Sequence, residues 1–332
     1  MPQSSHLFAV ARVRALEKNL IGGDGMHRIA YGTLEEGMRV LRESGYGGMP
    51  DATDADCERM IANELLKTAK LIEEITPDKE ATDLFLLRAD VHNIKALLKQ
   101  RLLGSADAPA LLNGGVYDTA RLSACVRDQQ YRDLPEAFKD ALNALEKELA
   151  AAPSPKAVSV ALDSAYQNHA RAVIAARHDN DPFLSDYFYG LADFDNVLAL
   201  LRLRDMGARR DELKAALLPA GDVPHGALLN AFEQPLETLS KLVATGRAGF
   251  AIAAGLSEKQ RTGHTSPLEK ARDNYLIGLI KKYKYDSMTL WPVLGYYLAR
   301  EQEAKSIRLI ITVKRNGLDE GVITERLREL YG

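Results

Sequence analysis

The sequence predicts an all-α protein built from three similar helical bundles with approximate threefold symmetry. Three observations carry this prediction: apolar residues recur with helical spacing along most of the chain, prolines fall between these segments directly after good N-cap residues, and one polar signature is repeated. At 332 residues and 46% hydrophobic content, the chain is long enough to bury a large core.

Helix starts are marked by prolines that follow a capping side chain, because proline fits the first helical turn, where its missing N–H is not needed. These pairs are Thr76-Pro77, Ser154-Pro155, Asp181-Pro182 and Ser266-Pro267. Glu269 stands three residues after Ser266, which predicts a capping box there. The helix that opens at Pro77 is predicted to run for about 27 residues to Gly104, which offers a left-handed C-cap.

One signature, D-x-x-N-[I/V]-x-x-L-L-[K/R]-x-R-x-x-G, occurs twice, from Asp90 to Gly104 and from Asp193 to Gly207. At about 100° per residue, its Asp, Asn and Arg fall on or beside the apolar stripe of a helix. The Asp and Arg of one copy are about 16 Å apart along the axis, so they cannot pair with each other. Each is therefore expected to find a partner across a helix interface.

A third, decayed copy is aligned through Gly317 and assigns the β-branched run "IRLIITV" at Ile307 to Val313 to a helix. Its equivalent residues are Glu303 for Asp90, Ser306 for Asn93 and Lys314 for Arg101. The copies are too far apart for TPR or HEAT solenoids, whose units have about 34 to 47 residues. One domain with three internal repeats is predicted, comprising residues 1–76 with 290–332, 77–180 and 181–289.

The charge balance and the cysteines exclude several classes of protein. A net charge of -3 gives no global field that would attract nucleic acid. Cys57 and Cys125 form no C-x-x-C pair, so neither a disulfide framework nor a zinc site is predicted. The amino-terminal apolar stretch is too short for a signal peptide, and no run approaches the roughly 18 apolar residues of a membrane-spanning helix.

Motifs for catalysis and for metal or nucleotide binding are not found in the sequence. It contains neither a G-x-x-x-x-G-K-[S/T] phosphate loop nor an H-E-x-x-H metal motif. The acidic run "DATDADCE" lacks the spacing of a calcium loop and is better explained as a helix N-terminus. A metal-assisted prenyl-transfer enzyme would need two inward-facing acidic motifs, and only this poor one is present. We therefore predict no catalytic residue, cofactor or metal.

Three segments together carry a family resemblance. They are "ARVRALEKNLIG" near the amino terminus, "DVHNIKALLKQRLLG", and "PVLGYYLAREQEAKSIRLIITVKRNGLDEGVITERLREL" at the carboxyl terminus. In combination they resemble the C subunit of the V-type and A-type rotary ATPases, the counterpart of the eukaryotic d subunit, along the whole chain. The family often has a Gly-Pro turn before the last long helix, where this sequence has Met288 to Pro292.

The resemblance implies three bundles around a funnel-shaped cavity and a non-catalytic role. A protein of this kind joins the central-stalk subunits (D/F-type) to the proteolipid ring. It lies peripherally on the cytoplasmic face of the membrane as a single copy, without inserting into the lipid. The alternative from a different class is a soluble all-helical repeat adaptor with an unrelated protein partner.

Two interpretations remain open for the polar signature residues: they hold neighbouring helices in register, or they face the cavity and contact the stalk. The structural or interface candidates are Asp90, Asn93, Arg101, Asp193, Asn196, Arg204, Glu303 and Arg308. Buried polar groups must be hydrogen-bonded, which favours the first interpretation. The basic run from Ile280 to Ser287 is likewise either a solvated helix end or a patch near the membrane or ring, and the helix dipole favours the former.

Overall fold

The structure is a computed structural model that describes residues 5–47, 53–105, 107–178 and 182–331. In these ranges the regular elements are helical and no strand is present, so the predicted all-α class is confirmed. A short 3₁₀ helix at Asp54–Asp56 precedes the α-helix that begins at Cys57. The α-helices are α1 His6–Glu17, α2 Gly23–Tyr31, α3 Leu34–Glu43, α4 Cys57–Ile75, α5 Lys79–Leu103, α6 Thr119–Asp128, α7 Glu136–Ala151, α8 Pro155–Ala176, α9 Pro182–Asp205, α10 Arg210–Lys214, α11 His225–Ala231, α12 Leu236–Val243, α13 Gly249–Thr262, α14 Ser266–Lys282, α15 Trp291–Arg315 and α16 Gly321–Arg326.

The first of two compact units comprises Met1–Thr82 and Asp273–Gly332. Its centre is α15, whose side chains are buried along most of its length and against which α1, α2 and α4 pack. The run from Ile307 to Val313 lies inside α15, so its assignment to a helix is confirmed. Burial in one apolar core outweighs the modest helix propensity of these β-branched residues.

The second unit, Asp83–Arg272, has a core of its own in which α5, α8 and α9 meet. The Phe85 ring of α5 lies 4.9 Å from Tyr187 and 5.7 Å from Phe188 of α9, between ring centroids. Tyr166 of α8 packs edge-on against Phe188 and donates a hydrogen bond from its hydroxyl to the Leu84 carbonyl at 2.8 Å. These contacts fix α5 and α9, the two helices that carry the signature.

The bounds of the predicted repeats differ from those of the two units. Residues 1–76 with 290–332 fall inside the first unit, whereas the repeats at 77–180 and 181–289 together cover the second and extend into the first at 77–82 and 273–289. The division into three repeats stays a prediction. The threefold, funnel-shaped arrangement of the repeats stays a prediction.

The helix termini follow the predicted capping chemistry, except that the starts predicted at Pro77 and at Ser266 differ in the structure. The Ser154 hydroxyl accepts the Ala157 N–H at 3.1 Å and caps α8, as predicted. The helix predicted from Pro77 begins at Lys79 instead, because the Asp78 carboxylate accepts the Ala81 N–H at 3.0 Å. Asp181, the expected cap of α9, lies outside the described residues.

The capping box predicted at Ser266 is replaced by another arrangement. The Thr265 carbonyl accepts the Glu269 N–H at 3.2 Å, so Ser266 already belongs to α14. The Glu269 carboxylate does not return to the cap but accepts a hydrogen bond from Arg202 of α9 at 2.5 Å. An interhelical ion pair therefore takes the place of the predicted local contact.

The three signature helices end in the same way. Gly104, Gly207 and Gly317 have φ values of 61°, 68° and 60°, in the left-handed region that glycine enters without a steric penalty. The predicted C-cap at Gly104 is therefore confirmed, and the other two copies share it. None of the described helices has both the length and the apolar character required to cross a lipid bilayer.

Candidate functional site

The signature Asp of α5 binds the chain segment that leads into α6. Asp90 is buried, and its Oδ2 accepts a hydrogen bond from the Val116 N–H at 2.7 Å, while Oδ1 accepts one from the Tyr117 N–H at 3.4 Å. A Cβ atom at Gly115 would lie only 2.1 Å from Asp90 Oδ1. Glycine is therefore required at position 115 for the backbone to approach the carboxylate so closely.

The signature Asn pairs with a single backbone residue through both ends of its amide. Asn93 Nδ2 donates to the Leu112 carbonyl at 2.8 Å, and its Oδ1 accepts from the Leu112 N–H at 2.7 Å. Asn196 makes the same pair with Leu218, at 3.1 Å and 2.8 Å. A carboxylate or an apolar side chain cannot supply both a donor and an acceptor, which explains the requirement for Asn.

The signature Arg binds the far end of α6. Arg101 Nη1 donates to the Val126 carbonyl in the last turn of α6 at 2.7 Å, and Nη2 donates to Glu146 Oε2 of α7 at 2.6 Å. Tyr131 also donates a hydrogen bond to the Glu146 carboxylate. The two ends of α6 are thus attached to α5 through Asp90 and Arg101.

The second copy repeats this arrangement around α11. Asp193 accepts hydrogen bonds at 3.0 Å from the N–H groups of Asp222 and Val223, just before α11 begins. Arg204 Nη1 donates to the Gln234 carbonyl, just after α11 ends, at 2.8 Å. A Cβ atom at Gly221 would lie 2.4 Å from Asp193 Oδ1, so glycine is required here as it is at position 115.

The decayed third copy keeps the arrangement around α2 with altered residues. Glu303 Oε1 accepts the Ile21 N–H at 2.6 Å, before α2, and Lys314 Nζ donates to the Gly32 carbonyl after it. The Asn is replaced by Ser306, whose buried hydroxyl has no hydrogen-bond partner among the described residues. The aligned acidic and basic residues therefore retain their contacts, whereas the Asn contact is lost.

Each signature helix thus holds a short neighbouring helix at both ends, and we name this arrangement an end clamp. The acidic and basic residues are eleven positions apart, about 16 Å along the signature helix. This distance accommodates the clamped helices, which have seven to ten residues, together with the residues that flank them. The three end clamps are Asp90 and Arg101 around α6, Asp193 and Arg204 around α11, and Glu303 and Lys314 around α2.

The expectation that the signature Asp and Arg each find a partner across a helix interface is wrong for the Asp side chain. Asp90 and Asn93 bind loop backbone rather than a facing helix, because a loop has free N–H and C=O groups whereas helix interiors use theirs internally. Arg101 partly meets the expectation through Glu146 of α7.

Burial shifts the ionisation of all three acidic clamp residues. It raises the pKa of Asp90 to about 7, against the backbone N–H groups of Val116 and Tyr117, and that of Glu303 to about 7, against the positive charge of Arg300 and the Ile21 N–H. Burial also raises the pKa of Asp193, with the same opposition from the N–H groups of Val223 and Asp222. These carboxyl groups therefore hold a proton at higher pH than exposed ones do.

A buried charged network adjoins the third end clamp, and the sequence analysis did not predict it. Arg300, 1% exposed, donates from Nη1 to Glu303 Oε2 at 2.9 Å, and its Nη2 lies 3.5 Å from Glu64 Oε1 of α4. The Tyr46 hydroxyl donates to Glu303 Oε2 at 3.2 Å. The spacing of Arg300 three residues before Glu303 on one helix was the available signal.

Arg308, the remaining candidate, lies apart from the end clamps. Its Nε donates to Glu58 Oε2 at 2.9 Å, at the start of α4, and the two side chains are 39% and 65% exposed. An ion pair this exposed contributes little to stability. Arg308 is therefore accessible to another molecule, whereas the acidic clamp residues are not.

The acidic run before α4 forms a helix start where it is described. The Thr53 N–H donates to Asp56 Oδ2 at 3.1 Å in a capping box, which agrees with the predicted helix N-terminus. Asp51 lies outside the described residues. Among the described residues, no group of three or more His, Cys, Asp or Glu side chains is placed to hold a metal ion.

The fold and the end clamps define a class of all-helical protein in which one structural device recurs three times. Residues 9–326 match the family model of the ATP synthase (C/AC39) subunit, so the chain belongs to this family. The resemblance inferred from the sequence is thereby confirmed.

Curated relatives are similar along nearly their whole length. The V-type sodium ATPase C subunit of Enterococcus hirae is 21% identical over 321 residues, which cover 96% of this chain and 97% of that protein. The A-type ATP synthase C subunit of Desulfurococcus sp. is 24% identical over 348 residues, which cover 97% of this chain and 89% of that protein. The A-type ATP synthase C subunit of Thermococcus onnurineus is 23% identical over 337 residues, with 97% and 88% covered.

Proposed function

We propose that this chain is a non-catalytic coupling subunit of a V/A-type rotary ATPase. It acts as a socket that links the central rotor shaft to the membrane proteolipid ring and so transmits torque for H⁺ or Na⁺ transport. The family match over residues 9–326 carries this proposal. The relatives support it, because they include the C subunits of both a V-type sodium ATPase and A-type ATP synthases.

The end clamps suit a torque-transmitting part. Each one ties a short helix to a long one through charged or polar groups at both ends, so the short helix cannot slide along its neighbour without breaking several hydrogen bonds at once. Asp90 and Asn93 are at most 1% exposed, so we assign them to the internal rigidity of the socket rather than to partner contact.

The proposed partners are the central-stalk subunits (D/F-type) and the proteolipid ring, with one copy of this chain in each complex. The chain would lie on the cytoplasmic face of the membrane, peripheral to the lipid. An interface that assembles and releases is expected to be polar at its rim, where exposed charges such as Arg308 contribute to recognition.

The decisive experiment is size-exclusion chromatography with light scattering. The purified chain is mixed with the central-stalk subunits from the same genome and, separately, with its detergent-solubilised proteolipid ring. Saturable co-elution with both at one copy of this chain is the expected result. If neither folded partner co-elutes, the coupling role is wrong and the adaptor alternative takes its place.

The role of Arg308 is tested with a matched pair of variants. Arg308→Gln and Glu58→Gln each break the same exposed ion pair, so both are expected to change the free energy of unfolding by less than about 1 kcal/mol. If Arg308 contacts a partner, only Arg308→Gln weakens co-elution. Equal binding by the two variants would remove Arg308 from the interface.

Catalytic inactivity is tested directly. The isolated chain, at concentrations where it is folded and monomeric, is expected to release no phosphate from ATP above the buffer background. Turnover that follows the protein peak through two different columns would contradict the non-catalytic assignment.

A further inference from the structure

A groove of about 600 Å³ runs along α4 and is bordered by α1, within the first unit. Its α4 residues follow one another at steps of three and one, which places them on one face of that helix. They are Asn63, Leu66, Lys67, Lys70, Leu71 and Glu74, and α1 contributes Arg12, Ala15 and Leu16.

The floor of this groove is apolar. Leu66 and Leu71 of α4 and Leu16 of α1 are only half-buried, although the opposite face of α4 is packed into the core through residues such as Ile61 and Ile72. Phe8, one turn before Arg12 on α1, is 54% exposed and extends the apolar surface. Two helices thus present an apolar strip to solvent.

The rim of the groove is basic. Lys67 and Lys70 of α4 flank the leucines, and Arg12 projects from α1, whereas Glu74 is the one acidic residue among the described lining residues. The Arg12 and Glu74 side chains are 3.8 Å apart and 45% and 67% exposed, and Lys67 is 72% exposed. The Arg12–Glu74 pair can reorient toward a partner, because exposed ion pairs are weak, whereas the exposed Lys67 ammonium lies 3.3 Å from the buried Glu64 carboxylate.

We propose that this groove docks an amphipathic helix with acidic flanks from a second protein. The lined part of α4 spans about 16 Å, so it matches about three turns of a partner helix with apolar residues at i, i+3 or i+4, and i+7. Acidic residues beside that stripe would face Lys67, Lys70 and Arg12. A second copy of this chain placing the same face here would bring like charges together.

The proposal does not depend on the coupling role, since it concerns which surface of the chain is covered and by what. The test compares the isolated chain with the purified ATPase complex that contains it. Both are acylated with an N-hydroxysuccinimide ester, and modification of Lys67 and Lys70 is quantified by mass spectrometry. Lys147, an exposed residue of α7, reports general loss of labelling.

The complex is also treated with a carbodiimide, which joins a lysine amine directly to a carboxylate in contact with it. The expected result is severalfold slower acylation of Lys67 and Lys70 in the complex, together with cross-links from them to Asp or Glu in a helical amphipathic segment of another subunit. Equal acylation in both samples would overturn the proposal, because the groove would then be open.

Three further outcomes also count against it: a cross-link to a second copy of this chain, a cross-link to a segment without helical apolar spacing, and protection that disappears when lipid is removed.

A variant pair completes the test. Arg12→Glu with Lys70→Glu is expected to leave the unfolding midpoint unchanged, because both rim residues are exposed, and to weaken retention in the complex. Lys147→Glu with Lys214→Glu, at exposed positions outside the groove, changes neither. Equal retention of the two double variants would overturn the proposal.

Discussion

A Cβ atom at Gly115 would lie 2.1 Å from Asp90 Oδ1, so these two residues occupy a space that admits no larger side chain. In the second end clamp Gly221 stands in the same relation to Asp193, at 2.4 Å. In the third, the acid is Glu303, one methylene longer, and Leu20 precedes the Ile21 N–H that it binds. The longer side chain reaches the backbone from farther away, so glycine is no longer required.

Gly115→Ala is therefore expected to lower the free energy of unfolding by about 1–3 kcal/mol, because the added carbon forces the loop away from the buried Asp90 carboxylate. Urea denaturation followed by circular dichroism measures this change. Gly226→Ala in α11 is the control, since nothing lies within 4 Å of its added carbon, and stability there should be kept or slightly raised. Equal losses for the two variants would contradict the close-approach argument.

Two substitutions of Arg101 distinguish the contribution of its positive charge from that of its guanidinium geometry. Arg101→Met removes the donor of the Val126 carbonyl and leaves the Glu146 carboxylate with Tyr131 as its remaining donor, which is expected to cost about 2–3 kcal/mol. Arg101→Lys should cost less than half as much, because Lys314 performs the equivalent contact in the third end clamp. Denaturant midpoints at constant slope give both values. If Lys were as harmful as Met, the equivalence of the clamps would be wrong.

The raised pKa of Asp90 makes its contribution to stability depend on pH. Its pKa is about 7 in the native protein and has an ordinary value of 3.8, so the native state binds the proton more tightly than the unfolded state. The stability gained from this proton is full below about pH 4 and is lost as the pH rises to about 7.

Asp90→Asn removes this titration, so the difference in unfolding free energy between wild type and variant should shrink as the pH is raised from 5 to 8. Chemical denaturation at each pH measures the difference. Glu303, whose pKa is also raised to about 7, titrates in both proteins and cancels in the comparison. A difference that grows with pH would show that the hydrogen bonds from Val116 and Tyr117 outweigh burial.

Arg300 compensates two buried carboxylates, those of Glu303 and Glu64. Arg300→Met is expected to cost about 3–5 kcal/mol, because it leaves the buried Glu303 without its cation and Glu64 with only the exposed Lys67 ammonium, 3.3 Å away. Adding Glu303→Gln and Glu64→Gln to that variant should recover part of the loss. The cycle compares the wild type, Arg300→Met, the variant with both Glu→Gln substitutions, and the variant with all three. Thermal or denaturant unfolding of these four proteins measures the coupling, and strictly additive losses would contradict the network.

Local sequence patterns were sufficient to predict several of the helices and the buried face of α5, but not α13, which covers Gly249–Thr262. The spacing of apolar residues placed Asp90 and Asn93 on the buried stripe of α5, where the structure has them at most 1% exposed. The alignment of Gly317 with Gly104 and Gly207 was sufficient to assign the β-branched run from Ile307 to Val313 to a helix. These inferences hold because helix periodicity and glycine caps depend on residues within a few positions of one another.

The partners of those side chains depended on distant parts of the chain. Glu303 binds a backbone group 282 residues away, and Arg101 pairs with a carboxylate 45 residues away. A helix pattern indicates that a polar residue will be buried, but not whether a loop or a facing helix will satisfy it. The expected helix-interface partner of Asp90 was wrong for this reason.

The sequence by itself determined the all-α class, the repeated signature and the family resemblance, because each depends on residue order along the chain. Only the tertiary structure decided that the signature clamps the two ends of a short helix, that Arg300 joins Glu303 and Glu64 in the core, and that one face of α4 stays open beside α1. Those features arise from packing between segments far apart in sequence, where the balance of burial and hydrogen bonding is settled only when the segments meet.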